Sequence, residues 1–269
     1  MGYEHIEIEQ DDQVATLWLN RPEKMNAMSA DMWSDIPAAM ADLDADESVR
    51  VVVLAGRGKA FTVGIDVNML AGLQPTAASQ AEANRQTYDK VKELQLTASC
   101  FAHSPKPVIA AVHGYCLGAG MDLITACDIR VASEDSVFSI RETRMGLVAD
   151  IGTLERLPAI VGAGHTAELA YSGNDIPADR ARQIGLVNDV YEDQVATLGA
   201  AHSLASEIAV MSPLVTQGVK AVLGANDGRT TEEALDFVAQ WNASYLFSND
   251  LFEAVNAFLE KRDPDFKGN

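Results

Sequence analysis

The chain has 269 residues, with 39 acidic against 20 basic side chains and a net charge of −19. That field repels polyanions and excludes nucleic acid as a general partner, while 48% apolar content supports a full core. Three cysteines without a CxxC pair argue against a disulfide framework, and five scattered histidines offer no metal-ligand spacing, so no metal is expected.

No stretch approaches eighteen uncharged apolar residues, so no membrane span is expected. The opening "MGYEHIEIEQDDQ" has neither signal-peptide nor transit-peptide character, and "DFKGN" is no peroxisomal address. Together these favour a cytoplasmic protein.

Taken in chain order, "HIEIE" and "VATLWLN" read as a strand hairpin. Ser29 can cap a helix running to about residue 44, in which Pro37 predicts a kink or a restart. "VRVVVLAG" is a buried strand, "QAEANRQTYDKVKELQLTASCFAH" a long helix and "KPVIAAVHG" another buried strand. "GAGMDLITACD" is a helix entered through glycines, and "IRVAS" and "SVFSI" are short strands. Beyond residue 152 the pattern is helical, with "QIGLVNDVY" the strand-like exception. Alternating strands and helices predict an α/β core over residues 1–195, with helices outside the sheets. Residues 196–269 form a helical region whose amphipathic stripes need a partner surface.

Two glycine turns could carry chemistry. "AFTVGIDV" (60–67) follows the third strand, and "HGYCLGAGMD" (113–122) joins a buried strand to a buried helix. Glycines let the backbone approach a ligand, and a helix N-terminus offers unpaired N–H donors. Brought together, the two turns would make an oxyanion hole, although plain turn chemistry explains each alone.

In "RETRMGLVADIGT" (141–153), Glu142 and Asp150 stand eight positions apart in a segment that reads as buried. A buried carboxylate is paired, neutral or at work. Glu142 could pair with Arg141 or Arg144, and Asp150 could cap a helix beginning near Gly152. Asp122 falls in the first turn of its helix, where the macrodipole stabilises it without further function.

"AFTVGIDV", "AAVHGYCLGAGMDLITACDIRVAS" and "FSIRETRMGLVADIGTLERLP", in this order and spacing, resemble the crotonase (enoyl-CoA hydratase/isomerase) superfamily. The likeness runs from "LNRPEKMNAM" to "AFLEKRDPDFKG", and is nearest to the Δ3,5-Δ2,4-dienoyl-CoA isomerase branch. It implies a crotonase-like spiral of ββα units followed by a C-terminal helical trimerisation region, assembled as a trimer or a dimer of trimers. It also implies an acyl-CoA thioester substrate, coenzyme A being part of that substrate and no separate cofactor being needed.

The resemblance places the oxyanion donors at the amides of Ile65 and Ala119. It implies substrate contacts at Lys24, Met25, Gly64, Asp66, Gly120 and Lys261, the last reaching from the C-terminal helix of the same or another subunit. Arg21, Arg57 and Lys59 are further candidates for the coenzyme A phosphates.

Typical hydratases carry Glu where Asp122 stands, share Glu142, and have Gly in place of Asp150. The dienoyl-CoA isomerases show the same Asp, Glu, Asp set, which implies Glu142 acting at C2, Asp150 at the distal carbon and Asp122 orienting or tuning them. A hydratase or a Δ3,Δ2-enoyl-CoA isomerase is the alternative within the fold. A non-catalytic acyl-CoA-binding protein is the alternative outside catalysis.

Overall fold

The computed structural model describes residues 2–269 of the chain. Strands β1 (Ile6–Asp11) and β2 (Val14–Leu19) form the expected antiparallel hairpin. They are followed by α1 (Ala30–Ala45), β3 (Val51–Gly56), α2 (Val67–Gly72), α3 (Gln80–His103) and β4 (Val108–Val112). Next come β5 (Tyr115–Leu117), α4 (Ala119–Thr125), β6 (Ile129–Ser133) and β7 (Val137–Ser139). The chain then runs through α5 (Thr153–Val161), α6 (Ala163–Ser172), β8 (Ile176–Pro177), α7 (Ala178–Gln183) and β9 (Asp189–Tyr191). It ends in four helices: α8 (Gln194–Ala209), α9 (Pro213–Ala225), α10 (Thr231–Tyr245) and α11 (Asn249–Glu260).

The main sheet has the order β1-β2-β3-β4-β6-β9, parallel except for the opening hairpin. Parallel strands are covered on both faces, which is why β2, β3 and β4 are apolar almost throughout. Val51, Val53 and Ala55 face one side with Ala201, Ala205 and Ala209 of α8. Val52 and Leu54 face the other, with Met32, Ile36 and Met40 of α1 and Ala98 and Phe101 of α3. A second sheet, β5-β7-β8, takes its first strand from within the second glycine turn.

Helix α1 continues through Pro37 without the restart that is one of the two expectations. Proline removes the N–H that would bond the Trp33 carbonyl one turn back. That carbonyl instead accepts the Thr97 hydroxyl of α3 at 2.7 Å. The lost helix bond is replaced by a tertiary one.

Because α8 packs its alanines on the main sheet, a division at residues 195/196 falls inside a core helix. Exposed apolar faces concentrate from α9 onward, although its Lys220 is tied to the core at the Phe101 and Lys106 carbonyls. There the faces are uncovered: Leu223, Leu235, Phe252 and Leu259 are exposed, and Phe258 is 83% accessible. The C-terminal tail folds back on the core. The buried Asp250 carboxylate accepts from Ser212 Oγ at 2.5 Å and from the Lys267 amide at 2.9 Å, and Arg50 donates to the Phe266 carbonyl. No single helix among the described residues is long and apolar enough to cross a membrane.

Candidate active site

The two glycine turns are zipped together at Thr62. Its amide donates to the Tyr115 carbonyl, and its carbonyl accepts from the Leu117 amide. Contact is close enough to exclude side chains at the glycines. A Cβ on Gly64 (φ +93°) would lie 2.9 Å from Leu117 O and 3.6 Å from the Ala119 nitrogen. One on Gly120 would lie 2.8 Å from Thr62 Cγ2 and 3.1 Å from Cys116 Sγ. These glycines are required by packing.

The Ile65 and Ala119 amides therefore belong to neighbouring turns. Met28 engages the flanking residues on one side, its amide donating to Gly64 O and its carbonyl accepting from the Asp66 amide. Neither the Ile65 nor the Ala119 amide donates to a group among the described residues. Ala119 opens α4, where the first N–H groups have no helical partner. Two free donors at adjoining turns are what an oxyanion needs.

Glu142 heads a 3-10 turn, and its carboxylate lies against the second glycine turn. A Cβ on Gly118 would meet Glu142 Oε1 at 3.3 Å. Its Oε2 is buried without a partner among the described residues. The neighbouring arginines are engaged elsewhere: Arg141 pairs with Asp175 at 2.8 Å, and Arg144 donates to Asn174. Glu142 is thus not in an ordinary ion pair. Burial raises its pKa above the usual range, and the nearby Asp150 charge adds to this.

Asp122 is the carboxylate buried most deeply, at 1% exposure. Its Oδ1 accepts both from the Thr153 amide at 2.8 Å and from Thr153 Oγ1 at 2.6 Å, tying α4 to the start of α5. Burial pushes its pKa up to about 7, the Thr153 hydroxyl opposing this and the Glu142 charge reinforcing it.

The raised value makes stability depend on pH. Between the ordinary Asp value near 4 and about 7, the folded state holds a proton that the unfolded state has lost. Stability therefore decreases as pH rises through this window, by on the order of a few kcal/mol at most. Asp122→Asn keeps an acceptor for Thr153 and removes the titration. Urea unfolding from pH 4.5 to 7.5 should show a shallower decline for the variant, and equal slopes would contradict the assignment.

Asp150 corrects two expectations. The segment before it is not buried: Met145, Leu147 and Val148 are exposed, Ala149 is buried, and Asp150 itself is exposed. Nor does Asp150 cap α5, which begins after Gly152 with its Thr153 amide bonded to Asp122. Partial desolvation still raises the Asp150 pKa, with the Glu155 charge adding to it. The three carboxylates thus lie within one electrostatic neighbourhood.

The substrate-contact candidates divide. Asp66 is committed to structure: its Oδ2 accepts from Arg21 at 2.7 Å, and its Oδ1 accepts from the Asn68 amide that opens α2. Arg21 holds its carboxyl below the usual range. Arg57 pairs with Glu7 and Glu9 and lies over the Trp18 ring at 3.7 Å. Arg21 and Arg57 are therefore engaged within the fold, whereas Lys24, Met25 and Lys59 are exposed. Lys261 ends α11 in a left-handed cap, and no contact among the described residues joins it to the other candidates. An open cleft of about 420 Å³ flanks Asp66, reaching Met69, Leu73 and Lys90.

His113 and Cys116 are buried beside the second turn, with His113 Nε2 bonded to Gly58 O at 3.0 Å. Sequence reasoning missed Asn26. It is buried with φ +54°, accepts from the Arg21 amide and donates to the Arg57 and Ala60 carbonyls. Asn tolerates this left-handed conformation, a signal that "KMNAM" did carry. Also missed was the one grouping of metal-type ligands among the described residues, Glu4, His5 and Asp31. Asp31 joins it from α1, so linear spacing could not show it.

Two free backbone donors at adjoining turns thus lie beside the buried, unpartnered Glu142 Oε2. Residues 9–269 match the enoyl-CoA hydratase/isomerase family model, and the chain belongs to that family of enzymes. It is 41% identical to the peroxisomal Δ3,5-Δ2,4-dienoyl-CoA isomerase of Arabidopsis thaliana, covering 95% of this chain and 93% of that protein. Identity to the mitochondrial Δ3,5-Δ2,4-dienoyl-CoA isomerase of Dictyostelium discoideum is 40%, over 99% and 92%. A probable enoyl-CoA hydratase of Bacillus subtilis is 31% identical over 98% of each chain. Among solved structures, the enoyl-CoA hydratase of Bacillus anthracis superposes with a TM-score of 0.89 at 28% identity, covering 99% of this chain and 100% of that one. The peroxisomal and mitochondrial relatives overturn the expectation of a cytoplasmic protein.

Proposed function

We propose that the protein converts 3,5-dienoyl-CoA to 2,4-dienoyl-CoA. The observation that carries this is a pair of carboxylates on one loop, neither bonded to another side chain. Glu142 lies against the oxyanion turn with an unpartnered Oε2, and Asp150 stands on the same loop without serving as a helix cap. Relatives about 40% identical that are named dienoyl-CoA isomerases support the same reading.

The isomerisation removes a proton from C2 and returns one at C6. Glu142 takes the C2 proton while the Ile65 and Ala119 amides stabilise the dienolate oxygen. Asp150 supplies the proton at the distal carbon. Burial raises the pKa of both carboxyls above the usual carboxylate range, the direction that suits a group exchanging protons with carbon. Asp122 holds the Thr153 amide at the start of α5, three residues beyond Asp150, and so orients Asp150.

The assay follows the ultraviolet spectrum with purified protein. Gain of conjugated 2,4-diene from a 3,5-dienoyl-CoA supports the isomerase. Loss of enoyl absorbance from a 2-enoyl-CoA alone indicates a hydratase, which the relatives at 31–33% identity would fit. No change with either substrate indicates a binding protein.

The oxyanion donors give a second test. Ala119 stands at the first position of α4, where proline keeps helical geometry but removes the donor. Because Ala119 is buried, the fold of the Ala119→Pro variant is checked alongside its activity. Activity should fall roughly 10²–10³-fold, as for loss of one oxyanion donor, while Ala119→Gly keeps most of it. Equal activity of the two variants, both folded by circular dichroism, would place the hole elsewhere.

The exposed apolar faces of α9, α10 and α11 support assembly as a trimer or a dimer of trimers. Light scattering at micromolar concentration should show such a particle, and loss of residues beyond 228 should release unstable monomers. A stable full-length monomer would contradict this.

A further inference from the structure

Asp150 is joined to the rest of the molecule through its backbone. Its carbonyl accepts from Gln95 Nε2 of α3 at 2.8 Å. Lys92 Nζ donates to Gln95 Oε1 at 2.8 Å, which fixes the orientation of the amide and turns its NH₂ toward Asp150. The next carbonyl, that of Ile151, accepts from Arg156 Nη1 at 3.4 Å, while Arg156 Nη2 reaches Ser99 Oγ at 2.9 Å. Gln95 and Ser99 are four residues apart on α3, so both arms of the clamp rest on one helix face.

Gly152 makes room for the second arm. With φ at +128°, a Cβ there would lie 1.9 Å from Arg156 Nη1. Ala149 and Ile151 are buried on either side of Asp150, and the Thr153 amide is held by Asp122. The carbonyls of residues 150 and 151 and the amide of residue 153 are thus fixed from α3, α5 and α4. Before them the loop is exposed from Thr143 to Val148.

We infer that Gln95 is a positioning residue for the reaction, aiming the Asp150 carboxylate by holding the Asp150 carbonyl, with Arg156 as the second arm. This rests on the proposal that Asp150 serves the distal carbon. The peptide plane after residue 150 influences where its side chain stands, and no side chain among the described residues bonds the carboxylate itself, so the backbone is what the clamp can set. Glu142 is set independently, by the 3-10 turn whose Thr143 hydroxyl bonds the Ala170 carbonyl. Releasing Gln95 should therefore disturb the distal step and spare the C2 step.

The test is Gln95→Met, which keeps length and helix propensity but loses the donor. Expected is a roughly 10- to 100-fold fall in kcat for 3,5-dienoyl-CoA, in the range of a misplacement of about 1 Å, with KM and C2–deuterium exchange within about two-fold of wild type. Arg156→Lys should show the same pattern more weakly. Placed in an Asp150→Asn background, Gln95→Met should add no further loss, because both changes then act on one step.

Unchanged kcat, C2 exchange falling in step with isomerisation, or additive losses in the double variant would each overturn the inference. Near-normal turnover by Asp150→Asn itself would instead remove the assignment of Asp150 on which the inference rests. The two failures are thereby distinguished.

Discussion

Asp150→Asn should lower isomerisation of a 3,5-dienoyl-CoA by roughly 10²–10⁴-fold, the range for a lost general acid or base. Asn keeps the size and much of the hydrogen bonding but cannot exchange a proton. The Ile65 and Ala119 amides proposed to hold the thioester oxygen belong to other turns, so thioester binding should change little. The fold should be spared as well, because Asp150 is exposed and the start of α5 is held through Asp122 and Thr153. Exchange of the C2 proton with deuterated water should persist, since in the proposed sequence removal at C2 precedes delivery at C6. Near-normal isomerisation would return Asp150 to a role in the loop alone.

Glu142→Gln should be as damaging, again roughly 10²–10⁴-fold, and should differ in one readout. Without the base at C2, deuterium exchange should be lost together with isomerisation. Stability should fall little, because the Glu142 Oε2 has no partner to lose and Arg141 and Arg144 are engaged with Asp175 and Asn174. Exchange at the wild-type rate in this variant would show that another group removes the C2 proton.

Much of this arrangement is written locally. The apolar runs of β2, β3 and β4 announce strands covered on both faces, and the glycines at 64, 118 and 120 announce close backbone approach. Ser29 caps α1 as its position suggests, its side chain accepting from the Met32 amide.

What stayed hidden depends on partners distant in sequence. Arg21 looks available for a phosphate until the fold brings Asp66 to it from 45 residues away. Pro37 looks like a break until Thr97 supplies the missing donor. Ala149 and Ile151 made Asp150 look buried, yet they turn inward while it faces out. The most deeply buried carboxylate is Asp122, and nothing local distinguishes a helix-dipole Asp from one bonded to Thr153, 31 residues on. Gln95 lies 55 residues from Asp150, so no spacing rule could have joined them.

The most direct measurement is to run the reaction on a 3,5-dienoyl-CoA in deuterated water and locate the label in the product by NMR. Two-carboxylate isomerisation predicts a 2,4-dienoyl-CoA carrying solvent deuterium at C6, with no hydroxyl added to the chain. A 3-hydroxyacyl product, or a 2,4-diene without deuterium at C6 under conditions where the carboxyls have exchanged, would contradict it.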